Sequence, residues 1–195
     1  MNNIVYKSFI INRDDSHGLL QIKLAQRAGD KRSYYIRANL DGRFVHGVPD
    51  ITDKICSSIS LLLPKKTKNE VIVGFAEGSI ILAYNLAKIR NSSFVCSTKT
   101  QRSDFKTVIE FAEEHRSHIP SHYLYSLQKN DEIIIIEDEI STGKTVINAF
   151  NQLVNFGFSV KAIASIIEIT NFKGRKKIKE ATGIDLTTLT SITLL

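Results

Sequence analysis

Tryptophan is absent from this 195-residue chain, methionine occurs once, proline three times and cysteine twice. Two cysteines, Cys56 and Cys96, are too few for a disulfide framework and lack metal-ligand spacing, so two reduced, buried thiols are expected. Long apolar runs are also missing: nothing approaches the roughly 18 residues of a membrane-spanning helix. The opening stretch Met-Asn-Asn-Ile-Val-Tyr-Lys lacks the basic-then-apolar order of a secretion signal. A soluble, cytoplasmic chain with no membrane partner is therefore expected. No internal repeat or low-complexity segment is visible. A hydrophobic content of 43% is enough to build one full core.

Charge is biased, with a formal net of +6. The cations cluster in Pro64-Lys65-Lys66-Thr67-Lys68 and in Lys173-Gly174-Arg175-Lys176-Lys177-Ile178-Lys179 rather than in a stripe interleaved with aromatics. They read as solvated faces or connections, which argues against a nucleic-acid partner.

The most informative stretch is Ile133-Ile134-Ile135-Ile136-Glu137-Asp138-Glu139-Ile140-Ser141-Thr142-Gly143-Lys144-Thr145. Four isoleucines without polar alternation fit a central parallel strand covered on both faces. The acids and hydroxyls then fall at its C-terminal end, the edge of an open α/β sheet where ligands bind. An ATP-type P-loop would need glycine five residues before Gly143, but Asp138 occupies that position and would repel a polyphosphate. The shorter turn suits one phosphate monoester: Ser141, Thr142 and Thr145 offer hydroxyls, Gly143 close backbone approach, and Lys144 charge. Glu137 and Asp138 suit vicinal hydroxyls, directly or through a divalent cation. One phosphate beside one diol describes a ribose 5-phosphate. The blander alternative is an acidic strand end whose Ser141 or Thr142 merely caps the next helix.

Around this segment, strands are expected at 71–75, 93–97, 133–136, 160–169 and 186–194, and helices at 79–89 and 145–156. That alternation is the pattern of a parallel sheet with right-handed crossovers. The turn Gly74-Phe75-Ala76-Glu77-Gly78-Ser79 lies between strand and helix, where free N–H groups can receive a second anion. The long polar segment 97–130 reads as a lid, with Lys99 and Arg102 placed to close over an anion. It also carries His115, His118 and His122, which a continuous helix would bring to one face as zinc ligands, although Pro120 interrupts it. Nearer the N-terminus, 19–28 reads as an amphipathic helix and 33–40 as extended. Together they would form a small hood in which Arg37, Arg43 and His46 are candidate ligand groups.

The strand, two acids and hydroxyl-glycine turn resemble the signature of the type I phosphoribosyltransferases. Glu139 stands where an apolar residue is usual and Lys144 where a small one is usual. Further strings narrow the resemblance: Gln26-Arg27-Ala28-Gly29-Asp30-Lys31-Arg32, residues 42–49, Gly74-Phe75-Ala76-Glu77, and Glu113-Glu114-His115-Arg116-Ser117-His118. In that order they look like the orotate-phosphoribosyltransferase-like branch found in bacterial tellurite-resistance and stress gene clusters.

The resemblance implies an α/β fold, an open, mostly parallel sheet with helices on both faces, plus a small N-terminal hood. It implies one domain, with the hood over about 1–65 and the core over about 70–195. It implies an enzyme that binds Mg2+ with 5-phosphoribosyl 1-diphosphate and transfers the phosphoribosyl group to a base-like acceptor, releasing diphosphate. Glu137 and Asp138 would be the catalytic acids on the ribose, with Asp138 also available to the metal. Ser141, Thr142, Gly143, Lys144 and Thr145 would hold the 5-phosphate, and Ala76, Glu77, Gly78, Ser79, Lys99 and Arg102 the diphosphate. Arg37, Arg43, His46, His115 and His118 would face the acceptor. A homodimer is compatible with this reading. Two rivals remain: a non-catalytic sensor of phosphoribosyl diphosphate that regulates a partner or RNA, and a Mg2+-dependent phosphosugar hydrolase.

Overall fold

The structure, a computed structural model, describes residues 9–11, 22–25, 35–40, 42–43, 46–114 and 121–194. In chain order its elements are β1 (Phe9–Ile11), β2 (Ile22–Ala25), β3 (Tyr35–Ala38), α1 (Pro49–Leu62), β4 (Glu70–Gly74), α2 (Ile80–Arg90) and β5 (Ser93–Cys96). They continue with β6 (Ile109–Phe111), β7 (His122–Leu124), β8 (Glu132–Ile140), α3 (Lys144–Asn155), β9 (Ser159–Ile169), a single 3-10 turn (Thr170–Phe172), α4 (Gly174–Thr182) and β10 (Leu186–Leu194).

Six strands form one sheet in the order β1-β10-β9-β8-β4-β5. The five from β10 to β5 are parallel, and β1 adds antiparallel at one edge. The run of isoleucines is explained by two-sided burial. Ile134 and Ile136 enter the core beneath α1 and α2 with Ile55, Ile59, Leu82 and Leu86. Ile133 and Ile135 enter the core beneath α3 and α4 with Val146, Leu153 and Ile178. A strand with polar alternation would strand charged groups under one helical layer, which is why this one is apolar throughout.

Chain direction across the sheet sets the site. From β4 the chain passes through α2 to β5 on one side, whereas β8 lies on the other side of β4. The strand order therefore reverses between β4 and β8, the topological switch point outside whose C-terminal ends α/β sheets bind ligands.

Three expectations are corrected. Residues 22–25 form a strand, not part of a helix over 19–28, and pair antiparallel with β3 from Ile22↔Ala38 to Ala25↔Tyr35. The Ile-Lys-Leu-Ala alternation suits either period, and the paired neighbour decides it. β8 extends beyond Ile136 through the acids to Ile140, because β9 continues alongside it as far as Ile140↔Glu168. His122, considered as the third member of a helical histidine face that Pro120 interrupts, sits instead in β7, which pairs with β6 in a two-stranded ribbon. His115 and His118 lie outside the described residues.

Candidate active site

At the C-terminal edge of the sheet, β4 runs into the 75–79 turn and the C-terminal half of β8, which ends at Ile140, carries Glu137 and Asp138. Ser79 joins them. Its Oγ donates to Glu137 Oε2 and accepts the Asp138 N–H at 3.2 Å. Because the hydroxyl is turned to the acids, Ser79 does not cap α2, although it occupies the N-cap position. Helix α3 likewise begins without a side-chain cap: its N-cap is Gly143, at φ 74°. The plain capping reading of Ser141 and Thr142 is thereby set aside, although Thr142 Oγ1 accepts the Lys144 N–H in a long contact of 3.3 Å. Two helix N-termini with partial positive charge face this edge, and neither N-cap residue makes a side-chain cap.

Two glycines make the approach of these turns possible. A Cβ on Gly78 would fall on Asp138 Oδ2, so the turn can lie against the acid only as glycine. Gly143 has a left-handed backbone, and its Cβ would lie 2.7 Å from Ile178 Cγ1 of α4. Helix α4 thus braces the 141–143 turn from behind.

The two acids differ electrostatically. Glu137 keeps some exposed surface, yet its carboxyl sits well above the usual carboxylate range. Burial is the first cause and the neighbouring Asp138 charge the second, opposed by Ser79, the Asp138 N–H and Lys99. Asp138 is ion-paired: Arg43 Nη2 donates to its Oδ2 at 3.0 Å, and the Glu139 N–H donates to Oδ1 at 2.7 Å. Arg43 also reaches Glu77 Oε2 at 3.9 Å. Two adjacent carboxyl groups, one of them pre-paired with a cation, can accept hydroxyls or share a hard cation.

Of the predicted residues, the structure gathers Arg43, Gly78, Ser79, Glu137 and Asp138 into direct contact, with Glu77 at the rim. Ala76 joins through its N–H, which donates to Ser97 Oγ at 2.9 Å. Ser141 is buried and Lys144 exposed, while Thr145 Oγ1 accepts the Glu114 N–H at 3.1 Å and so docks the end of β6 on α3. Lys99 bonds Glu113 at 3.0 Å and is felt electrostatically by Glu137. Arg102 is exposed, and its backbone N–H donates to Tyr125 Oη at 2.6 Å. His46 is exposed; Arg37 lies in β3, without a described side chain.

Sequence reasoning passed over Ser97 and Glu113 as site residues and considered His122 as a zinc ligand. Ser97 Oγ and His122 Nδ1 are 2.8 Å apart, and Lys99 Nζ and His122 Nε2 are 2.9 Å apart. His122 lies 23 residues from Lys99 along the chain, so spacing gave no signal of their contact. A separate cavity of about 700 Å3, lined in part by Lys66, Lys68, Asn91, Ser92 and Asp131, lies at the opposite edge, where the strands begin. Parallel sheets of this kind bind at the other end.

The sequence model of the phosphoribosyl transferase family matches residues 21–194. The chain belongs to that family. This phosphoribosyltransferase is 27% identical over 118 residues to the adenine phosphoribosyltransferase of Caldicellulosiruptor saccharolyticus, covering 60% of this chain and 67% of that one. It is 28% identical over 157 residues to the hypoxanthine/guanine phosphoribosyltransferase of Methanotorris igneus, covering 76% and 84% of the two chains. Higher identity, 39–41%, is confined to 70 residues, 35–37% of the length of several other hypoxanthine/guanine relatives. The fold matches that of the adenine phosphoribosyltransferase of Rhodothermus marinus, with TM-score 0.69, 19% identity and coverage of 89% and 94%. The expected fold, a mostly parallel sheet with helices on both faces, is thereby met.

Proposed function

We propose that this phosphoribosyltransferase transfers the phosphoribosyl group of 5-phosphoribosyl 1-diphosphate to a nitrogen of a base-like acceptor, with purines the first candidates given the named relatives. The observation that carries this is the meeting, at the β4/β8 switch point, of an acid pair with two helix N-termini whose N-cap residues make no side-chain cap. Glu137 and Asp138 take the ribose hydroxyls. Residues 141–145 hold the 5-phosphate, and residues 76–79 with Lys99 and Arg102 hold the diphosphate.

In the reaction the C1–O bond to diphosphate breaks with its electron pair leaving on oxygen, a C1–N bond forms, and the acceptor nitrogen loses its proton. The chain's part is to position the two partners and stabilise the oxocarbenium-like state and the departing charge. For Asp138 to meet a hydroxyl, the Arg43 pair has to open, which leaves Arg43 at the mouth beside the acceptor. Arg37, His46, His115 and His118 complete that hood in this reading. No general base is assigned.

Among the described residues no group of three or more His, Cys, Asp or Glu could hold a metal ion. Two adjacent carboxylates nevertheless suit a hard cation that arrives on the substrate's oxygens. Mg2+ bound that way would neutralise diphosphate charge. The orotate-phosphoribosyltransferase-like branch, its tellurite-resistance setting, a single domain, a homodimer and a cytoplasmic location belong to the same proposal. No helix among the described residues is long and apolar enough to cross a membrane.

Calorimetry with Mg2+ and phosphoribosyl diphosphate tests the site. Asp138→Asn should weaken binding by about 1–3 kcal/mol, and unchanged affinity removes Asp138 from it. Diphosphate release is then followed with adenine, hypoxanthine, guanine and orotate in turn. Binding without turnover on any acceptor would favour the sensor reading over the enzyme.

A further inference from the structure

His122 is buried in the β6–β7 ribbon and stacked on Phe111 with ring centroids 4.9 Å apart and planes 4° apart. Phe75, at the start of the 75–79 turn, lies 5.8 Å away on a tilted plane. The imidazole touches two polar partners. Lys99 Nζ is 2.9 Å from Nε2, and Ser97 Oγ is 2.8 Å from Nδ1. An ammonium group can only donate, so Nε2 has to accept, and the ring proton is left on Nδ1. Nδ1–H then donates to Ser97 Oγ, which also receives the Ala76 N–H at 2.9 Å. Donation thus runs from Lys99 through His122 to Ser97, and from Ala76 to the same oxygen.

Both ends of this chain lie in the proposed diphosphate site. Ala76 opens the anion turn, and Lys99 is the lid cation whose charge reaches Glu137. Backbone bonds between Thr98 and Tyr123, at 2.9 and 3.0 Å, hold the two supporting segments together. The geometry assigns His122 the role of a positioning residue: a neutral imidazole that, through Ser97 and Lys99, sets the anion turn and the lid cation at one mutual distance for diphosphate. This rests on the diphosphate role given to Lys99 and the 76–79 turn above.

Histidine alone offers a donor at the δ position and an acceptor at the ε position on one rigid ring. A second proton would put an N–H against the Lys99 ammonium. Burial, Lys99 and, in the opposite sense, Glu113 are the influences on the ring, and together they lower its affinity for that proton.

The first readout is long-range 1H–15N NMR of the imidazole in the full chain. The proton should sit on Nδ1, with no titration between pH 5.5 and 8; a proton on Nε2, or titration in that range, overturns the assignment. The second is calorimetry with three probes: phosphoribosyl diphosphate and inorganic diphosphate, each with Mg2+, and ribose 5-phosphate. H122N keeps a donor for Ser97 but removes the ring acceptor from Lys99, which is then held by Glu113 alone. It should weaken both diphosphate probes roughly ten-fold while ribose 5-phosphate binds as in the parent. H122Q, whose amide oxygen can reach toward Lys99, should recover part of the loss.

K99M, which removes the cation itself, should lose at least as much as H122N, and the double variant should be no worse than K99M. Equal weakening of all three probes, or additive losses, would mean a merely structural ring, and H122N binding diphosphate as the parent does would sink the inference. A parent chain that binds none of the three probes would instead overturn the site reading itself, and the positioning role with it.

Discussion

Gly78 offers a test of the site's packing that needs no ligand. An alanine Cβ there would fall on Asp138 Oδ2, 2.5 Å from Arg43 Nη2 and 2.6 Å from Asp138 Cγ. Its backbone is not in the left-handed region, so the substitution probes space alone. Relief requires Asp138 to rotate away from the Glu139 N–H at 2.7 Å and from Arg43 at 3.0 Å. Overpacking of this kind costs about 1–3 kcal/mol, and a partly exposed ion pair adds less than about 1 kcal/mol. A chain of this length loses about 2–4 °C of Tm per kcal/mol, so a fall of roughly 2–16 °C is expected. The assay is a urea and thermal melt of G78A, D138A and the double variant. Removing the carboxylate makes room for the methyl, so the double variant should recover about 1–2 kcal/mol relative to additivity. Wild-type stability in G78A, or strict additivity in the double variant, would refute the close approach of turn and acid.

Burial, then the Lys99 charge, depress the His122 imidazole from 6.5 to about 4, against an opposing pull from Glu113. The neutral ring's contribution is therefore present above the unfolded value and lost as pH falls from 6.5 toward 4, up to roughly 3 kcal/mol. Glu137 acts with the opposite sign: its raised carboxyl stabilises the fold at low pH, and that contribution is lost as pH rises through its folded value. Urea melts of the parent and H122F across this range should diverge as the pH changes; identical pH profiles would contradict the neutral ring. Arg90 and Glu70, with side chains 6% and 3% exposed and paired at 2.6 Å, form a buried ion pair at the far edge of the sheet. R90A should cost about 3–5 kcal/mol in chemical denaturation while ligand affinity of the folded protein stays unchanged. Burial pushes the Cys56 thiol up to about 12 and the Cys96 thiol up to about 11. Both should resist a thiol reagent at pH 8 in the folded chain and react promptly in denaturant; rapid labelling of Cys56 without denaturant would contradict its burial.

Much of the core was legible because its signals are local. The isoleucine run at 133–136 and the alternation of β4, α2 and β5 need only pattern and length to be read. β10 falls on the residues expected of it, 186–194. The strand at 22–25 was misread because four residues do not separate a period of 2 from one of 3.6, and its partner β3 arrives ten residues later. The β6–β7 ribbon was missed for the same reason, since each of its strands has only three residues.

At the site, sequence alone determined which chemistry collects at the end of β8: three acids, three hydroxyls and a glycine within nine residues, and therefore visible as a motif. It also marked the 74–79 turn as the candidate for a second anion. Tertiary structure alone decided how these parts act on one another. Ser79 reaches acids more than fifty residues away, Arg43 closes on Asp138, and His122 links Ser97 to Lys99. Such contacts form because the strand order reverses between β4 and β8, and distances across that reversal are set by packing of the sheet and its helices rather than by any spacing along the chain.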